Sequence, residues 1–253
     1  MKLYNIVFSP TGGTKQVADC FTGALEGDVT TVDLTDSKQD FRTVSLTKED
    51  VAVISVPSYG GRVPAVVAER LGMVHGNGAR AVLVCVYGNR AYEDTLVELE
   101  DTAKQAGFQV IAAIAAVAEH SIARQFAAGR PDVQDAKQFA AFAQQIQNKL
   151  STGASSEPAL PGNRPYKKAG RAGMVPKPTK DCTRCGVCAA ECPVQAISKE
   201  DPKKVDEKAC ISCMRCIAVC PQGARKVNPV MLSAASLMLK KVCSERKECE
   251  LFL

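Results

Sequence analysis

Residues 182–193 read CTRCGVCAAECP and residues 210–221 read CISCMRCIAVCP. Both follow the pattern C-x-x-C-x-x-C-x-x-x-C-P, repeated at an offset of 28 residues. Eight of the chain's 12 cysteines lie in these runs: Cys182, Cys185, Cys188, Cys192, Cys210, Cys213, Cys216 and Cys220. The opening MKLYNIVFSPTGG carries one charge and passes from a mixed apolar run into a glycine turn, unlike a secretory signal. A cytoplasmic, reducing location is therefore expected, where clustered cysteines serve as metal ligands rather than disulfides. Structural zinc takes its four ligands in two pairs, usually a dozen or more residues apart, which two runs of four do not supply. Tetrahedral sulfur at this spacing suits iron–sulfur.

Three cysteines at this spacing wrap three corners of one 4Fe-4S cubane, and the fourth is carried away to a second cluster. The pairing is therefore crossed. Cys182, Cys185, Cys188 and Cys220 form one ligand set, and Cys210, Cys213, Cys216 and Cys192 the other. Pro193 and Pro221 stop helical continuation just past each crossing cysteine and remove a backbone donor there. The segment 177–228 closely resembles bacterial-type dicluster ferredoxins, which implies one-electron transfer and no catalysis by this part. Of the other cysteines, Cys20 and Cys85 read as small core residues, while Cys243 and Cys249 receive no role.

Residues 1–150 alternate short β-rich runs with segments of helical period. Strands are expected near Leu3–Phe8, Val29–Leu34, Val51–Val56, Ala81–Val86 and Gln109–Ala118, with helices near Thr14–Leu25, Pro64–Gly72, Tyr92–Ala106 and Val133–Leu150. Several strands are continuous apolar runs, the mark of a parallel sheet covered on both faces. The expectation is a doubly wound α/β domain around a five-stranded parallel sheet, followed by a small α+β dicluster domain and a C-terminal helix.

In such a sheet, ligands bind outside the carboxyl ends of the strands at a topological switch point. Three loops sit there. Residues 9–14, SPTGGT, follow the first strand and open a helix, aiming free amides and the positive helix end at an anion. Ser9, Thr11 and Thr14 add hydroxyls, and Gly12 and Gly13 permit close approach. The pattern is not that of a nucleoside-triphosphatase loop. Residues 57–64, PSYGGRVP, and 87–94, YGNRAYED, each offer an aromatic side chain with glycine. Together the loops resemble those of the flavodoxin family. That resemblance implies a bound FMN, with phosphate at Ser9–Thr14, the ring between Pro57, Ser58, Tyr59, Gly60, Gly61 and Tyr87, Gly88, Asn89, Arg90, Tyr92, Asp94, and Tyr59 and Tyr92 as stacking residues. The domain order further resembles the flavodoxin–ferredoxin fusion proteins of anaerobes. Arg62 and Arg90 depart from the acidic flavin surroundings of that family. Aimed at the ring, either one raises the flavin potential by favouring the reduced anion; the alternative is a surface pair of Arg90 with Glu93 or Asp94. His120 reads as a hydrogen-bonded loop histidine or a group at the flavin edge. GNGARA at 76–81 precedes a strand instead of following one, so it is no dinucleotide fingerprint.

Residues 151–176, rich in proline and glycine, read as a linker between the first domain (1–150) and the dicluster domain (177–228). Arg164, Lys167, Lys168, Arg171, Lys177 and Lys180 form a basic strip, either solvated or docking an acidic redox partner or the first domain. Net charge is −3 over 1–150 and +8 over 151–253, or about +4 once two cubanes of about −2 each are ligated. In the extension 229–253, Asn228 and Pro229 start a helix through about Cys243. Its Met231, Leu232, Leu237, Met238, Leu239 and Val242 are expected to bury against a domain.

The chain reads as an electron-transfer protein passing electrons between soluble partner proteins, two 4Fe-4S clusters and FMN, with no side-chain acid, base or nucleophile required. The alternative is a flavin-dependent reductase of a small acceptor such as a quinone or nitro compound. No tryptophan and few aromatics speak against nucleic acid, and no apolar run reaches the roughly 18 residues of a membrane span. Oligomeric state is left open.

Overall fold

The computed structural model describes residues 2–154, 156–170 and 173–253. The first half alternates strand and helix: β1 (Lys2–Val7), α1 (Gly13–Thr22), β2 (Asp28–Asp33), β3 (Val51–Pro57), α2 (Ala65–Leu71), β4 (Arg80–Tyr87), α3 (Thr95–Gln105), β5 (Gln109–Val117) and α4 (Val133–Ser151). The five strands run parallel in the order β2-β1-β3-β4-β5, the flavodoxin-like doubly wound order, whose switch point lies between β1 and β3. β3 is buried along its whole length, and β4 and β5 after their first residues. Such strands are legible as unbroken apolar runs because both faces are covered. Val17 and Phe21 of α1 pack with Phe139, Ala143 and Ile146 of α4 on one face. Val67 and Leu71 of α2 pack with Leu96, Leu99 and Ala103 of α3 on the other.

Beyond the five parallel strands expected, the sheet carries a sixth, antiparallel edge strand. β8 (Glu250–Phe252) pairs antiparallel with β5, setting Ala113 against Phe252 and Ala115 against Glu250. The tail leading to it is held by a buried ion pair: Asp135, fully buried, accepts from Arg130 Nε at 2.9 Å and Nη2 at 2.5 Å, and from Arg246 Nη2 at 3.0 Å. Arg130 also donates to the Lys247 carbonyl at 2.7 Å. Cys249 thereby joins the core beside α4.

Residues 163–167 lie along the α/β part of the chain. Asn163 donates twice to Asp94 at 2.9 Å, Lys167 donates its amide to the same carboxylate at 2.7 Å, and Arg164 pairs with Glu100 and Asp101. Two members of the basic strip thus meet acids of the first domain, Lys177 pairs with Glu207, and Arg171 lies outside the described residues.

The cysteine-rich unit is built as two copies of one wrap. β6 (Lys177–Pro178) pairs with β7 (Arg225–Lys226). The short helices α5 (Val187–Ala190) and α6 (Arg215–Ala218) occupy equivalent places in the 28-residue repeat. Left-handed backbone recurs in register at Arg184 and Ser212, Gly186 and Met214, Gln195 and Gly223. Met214 at φ 63° holds a conformation that bulky residues rarely adopt.

α7 (Pro229–Cys243) starts as expected, with Asn228 accepting from the amides of Val230 and Met231. Its burial differs from expectation. Leu232 and Leu239 pack with Cys243 on Ala123 and Phe126, but Leu237 and Met238 are 74% and 81% exposed, and Met231 and Val242 are exposed too. The helix is apolar nearly all round, so one docked stripe leaves another in water.

Candidate functional site

In the cysteine-rich unit, Cys182, Cys185, Cys188 and Cys220 line one hollow, together with Gly186, Pro202 and Pro221. In the second set, burial pushes the thiols of Cys213 and Cys216 up to about 12, and the nearby Cys192 and Cys210 act in the same direction on both. Cys188 acts on Cys216 in the same way, and Cys188, Cys192, Cys210 and Cys216 pack into one cluster, while Cys220 lines the hollow with Cys182, Cys185 and Cys188. Each crossing cysteine sulfur accepts an amide four residues on: Ala196 N to Cys192 and Ala224 N to Cys220, both at 3.3 Å. Cys188, Cys192, Ala189, Ala196 and Ile197 pack into an apolar kernel with Cys210 and Cys216 against it.

At the carboxyl end of β1, Gly12 adopts φ 96° and caps α1 without a side-chain bond. Ser9 donates its amide to Thr35 Oγ1 at 2.7 Å and accepts the Lys15 amide on its hydroxyl at 2.9 Å. The amides of Thr11, Gly12, Gly13 and Thr14 meet no acceptor among the described residues. A Cβ built on Gly12 would meet nothing within 4 Å. Four consecutive free donors at a helix N-terminus, with open space before them, fit an anionic phosphate. Thr14 is buried and Thr11 exposed.

The loop after β3 is a tight turn, with Tyr59 and Arg62 exchanging backbone bonds at 3.0 and 3.3 Å across Gly60 and Gly61, both at positive φ. Pro57 ends the strand, and Ser58 Oγ lies 2.8 Å from Thr95 Oγ1. Burial, with Cys213 beside it, raises the Tyr59 hydroxyl well above its ordinary range. The loop after β3 therefore lies beside Cys213.

The loop after β4 is arranged differently. The Tyr87 and Tyr92 rings meet edge to face at 5.2 Å, and the Tyr92 hydroxyl donates to Glu250 at 3.1 Å. Tyr92 precedes α3 rather than lying within it. Asn89, in left-handed backbone, donates to the carbonyls of Cys243 and Glu245 at 2.9 and 2.8 Å. Asp94 faces the linker at Asn163 and Lys167, and these donors hold its carboxyl below the usual range. A Cβ on Gly88 would strike the His120 ring. His120 itself accepts the amides of Ile122 and Ala123 on Nδ1, both at 3.1 Å, and is thus a hydrogen-bonded loop histidine.

Neither arginine expected to raise the flavin potential stands as a free charge. Arg62 forms a two-point pair with Glu98 at 2.6 and 2.7 Å, and Arg90 pairs with Glu93 at 3.0 Å. Arg90 thus forms the pair with Glu93 that was the alternative to facing the ring, and a paired guanidinium contributes little net field.

Further contacts among the described residues join the two units. Arg70 donates to the carbonyls of Leu34 and Pro193, both at 2.5 Å. Arg215 donates from Nη1 to the Pro10 carbonyl at 3.3 Å. Ile211 packs on the core of the first domain. A groove of about 1300 Å³ opens beside this junction, lined by Thr11, Gly13, Glu119, Ile122, Met214 and Ile217 among others. Sequence reasoning missed Arg70 and Arg215, whose partners lie 123 and 205 residues away. No local pattern signals such pairs.

Residues 181–224 match the family model of the 4Fe-4S dicluster domain. Ferredoxin-2 of Chlorobaculum tepidum is 44% identical over 55 residues, which cover 19% of this chain and 89% of that protein. A component of the tetrathionate reductase of Archaeoglobus fulgidus is 39% identical over 83 residues, 32% of this chain, and the match spans only 38% of that protein's length. Among solved structures, a flavodoxin of Streptococcus pneumoniae TIGR4 aligns at 21% identity and TM-score 0.41, covering 58% of this chain and 99% of its own. Megasphaera elsdenii flavodoxin aligns at 17% identity and TM-score 0.40, covering 56% and 98%. Among the described residues no helix is long and apolar enough to cross a membrane. Through residues 181–224 the chain belongs to the 4Fe-4S dicluster ferredoxin family, and it carries that domain behind an N-terminal domain of flavodoxin-like strand order.

Proposed function

We propose that the chain is an electron carrier in which two 4Fe-4S clusters exchange electrons with an FMN held at the carboxyl ends of β1, β3 and β4. The observation that carries this reading is the junction: the turn bearing Cys213 lies beside Tyr59, and Arg215 bonds the loop whose four amides are free. Close approach of the redox centres is the physical requirement for a relay within one chain. FMN, when bound, takes up and releases electrons singly or in pairs, which suits exchange with one-electron clusters.

In this reading Ser9, Thr11, Gly12, Gly13 and Thr14 hold the phosphate, and Ser58, Tyr59, Gly60 and Gly61 border the ring on one side. Tyr87, Gly88 and Tyr92 border the other, with Asn89, Arg90 and Asp94 fixing that loop to the tail and linker. Cys182, Cys185, Cys188 and Cys220 hold the cluster remote from the junction, and Cys192, Cys210, Cys213 and Cys216 the one adjoining it. Soluble redox proteins, approaching in the cytoplasm, serve as partners, and the domain division is 1–150, 151–176, 177–228 and 229–253.

A second reading, reduction of a small acceptor at the flavin, is favoured by one observation, the groove beside the phosphate loop. Iron, acid-labile sulfide and released flavin per chain, measured on protein purified without oxygen, test the first reading. About eight iron, eight sulfide and one FMN are expected; iron without flavin, unrecovered on adding FMN, refutes it. Saturable turnover of a quinone or nitro acceptor above free-flavin chemistry supports the second.

A further inference from the structure

We propose that Arg215, although carried by the cluster-binding unit, is part of the phosphate site of the FMN-binding domain, so that flavin affinity depends on assembly of the adjoining cluster. This rests on the FMN reading above.

Arg215 stands between Cys213 and Cys216 at the start of α6. Its Nη1 donates to the Pro10 carbonyl at 3.3 Å and its Nη2 to Glu191 at 2.5 Å. Its Nε is buried and has no partner among the described residues. A guanidinium has five N–H donors, so this one reaches the phosphate loop with donors unspent. Pro10 immediately precedes the run of free amides from Thr11 to Thr14. Within that loop the donors are neutral, and Lys15, the nearest cation in sequence, is directed to Asp19. Arg215 thus brings to the loop a cation that the first domain does not itself aim there.

The charges explain why one is needed. A cubane with four thiolates and a phosphate ester are both anionic, and the junction brings their sites together. Between them Arg215 is attracted to each and offsets their mutual repulsion. Glu191 competes for the same guanidinium, with Arg215 25% and Glu191 37% exposed. Because the turn carrying Arg215 is shaped by the ligand spacing around it, loss of the adjoining cluster displaces the cation, and by linkage flavin binding in turn favours the assembled cluster.

The test compares FMN with riboflavin, which lacks the phosphate, on the iron-loaded chain stripped of flavin, reading affinity by quenching of flavin fluorescence. Arg215→Ala is expected to weaken FMN about tenfold, as a lost charged hydrogen bond does, and to leave riboflavin within about twofold. Arg215→Lys retains part of the FMN affinity. Glu191→Gln, which leaves Arg215 in place, tightens FMN severalfold and keeps the proposal testable even where Arg215→Ala impairs cluster assembly. Wild-type chain depleted of iron weakens toward FMN like Arg215→Ala. Equal losses for FMN and riboflavin mean a merely structural role and overturn the proposal, as does unchanged FMN affinity in Arg215→Ala and Glu191→Gln. Failure of the iron-loaded wild-type chain to bind either flavin overturns the FMN reading itself.

Discussion

Replacing Asp135 by alanine removes the acceptor at the centre of the strap that ties the C-terminal tail to the sheet. Asp135 is fully buried and receives Arg130 at two points, Arg246 at one, and the Asp132 amide at 2.9 Å. Arg130, whose side chain is 5% exposed, would keep only the Lys247 carbonyl as acceptor. Breaking a buried pair from one side costs about 3–5 kcal/mol, because the surviving charge stays desolvated. For a chain of this size that corresponds to a fall in melting temperature of roughly 6–20 °C. Thermal unfolding of the iron-loaded protein by far-ultraviolet circular dichroism, without oxygen, measures it, with Arg130→Met and the double variant completing a cycle. The double variant should lose less than the sum of the singles, since no unpaired charge remains. The tail should also become open to protease in Asp135→Ala, because Arg246 and Lys247 lead directly into β8. A fall under about 2 °C with an intact tail would refute the reasoning, since it corresponds to the worth of an exposed pair.

Other consequences are as direct. Cys220→Ala should reproduce the loss caused by Cys182→Ala, and Cys192→Ala that caused by Cys213→Ala, each removing about four of eight iron atoms; matching of Cys192 with Cys182 by electron paramagnetic resonance would break the crossed assignment. Burial, with Arg90 nearby, holds the His120 imidazole below its ordinary value. The folded chain then binds fewer protons than the unfolded one below about pH 6.5, so stability is lost as pH falls through that window and is flat above it. His120→Asn, which keeps an acceptor for Ile122 and Ala123, should abolish that slope in denaturant titrations, and an unchanged slope contradicts it. On α7, Leu237→Lys with Met238→Lys should leave stability within about 0.5 kcal/mol per site, whereas Leu239→Ala should cost about 1 kcal/mol or more; the reverse order would contradict the docked face.

What was legible in the sequence follows from how local each cause is. Cluster ligation fixes cysteine spacing within a dozen residues, so the pattern at 182–193 and 210–221 stands out unaided. β3, β4 and β5 are legible because burial on both faces demands unbroken apolar runs such as VAVISVP. Asn228 and Pro229 announce α7 because capping is a matter of two or three residues. Which face of α7 docks was not legible, since apolar residues lie on nearly every side and only Ala123 and Phe126 decide it. β8 has three residues and no period of its own; its pairing comes from the edge that β5 leaves open and from the Asp135 strap. Arg62 reads in sequence as a cation in a flavin-flanking loop, yet Glu98, 36 residues on, neutralises it.

The central claim is that electrons pass between clusters and flavin inside one chain. Rapid mixing of the anaerobic, fully loaded protein with a substoichiometric one-electron reductant, followed at cluster and flavin absorption bands, tests it most directly. The account predicts that clusters are reduced first and flavin next, at a rate independent of protein concentration and slowed in Cys213→Ala. Flavin reduction that scales with protein concentration, or that proceeds unchanged in Cys213→Ala, would contradict it.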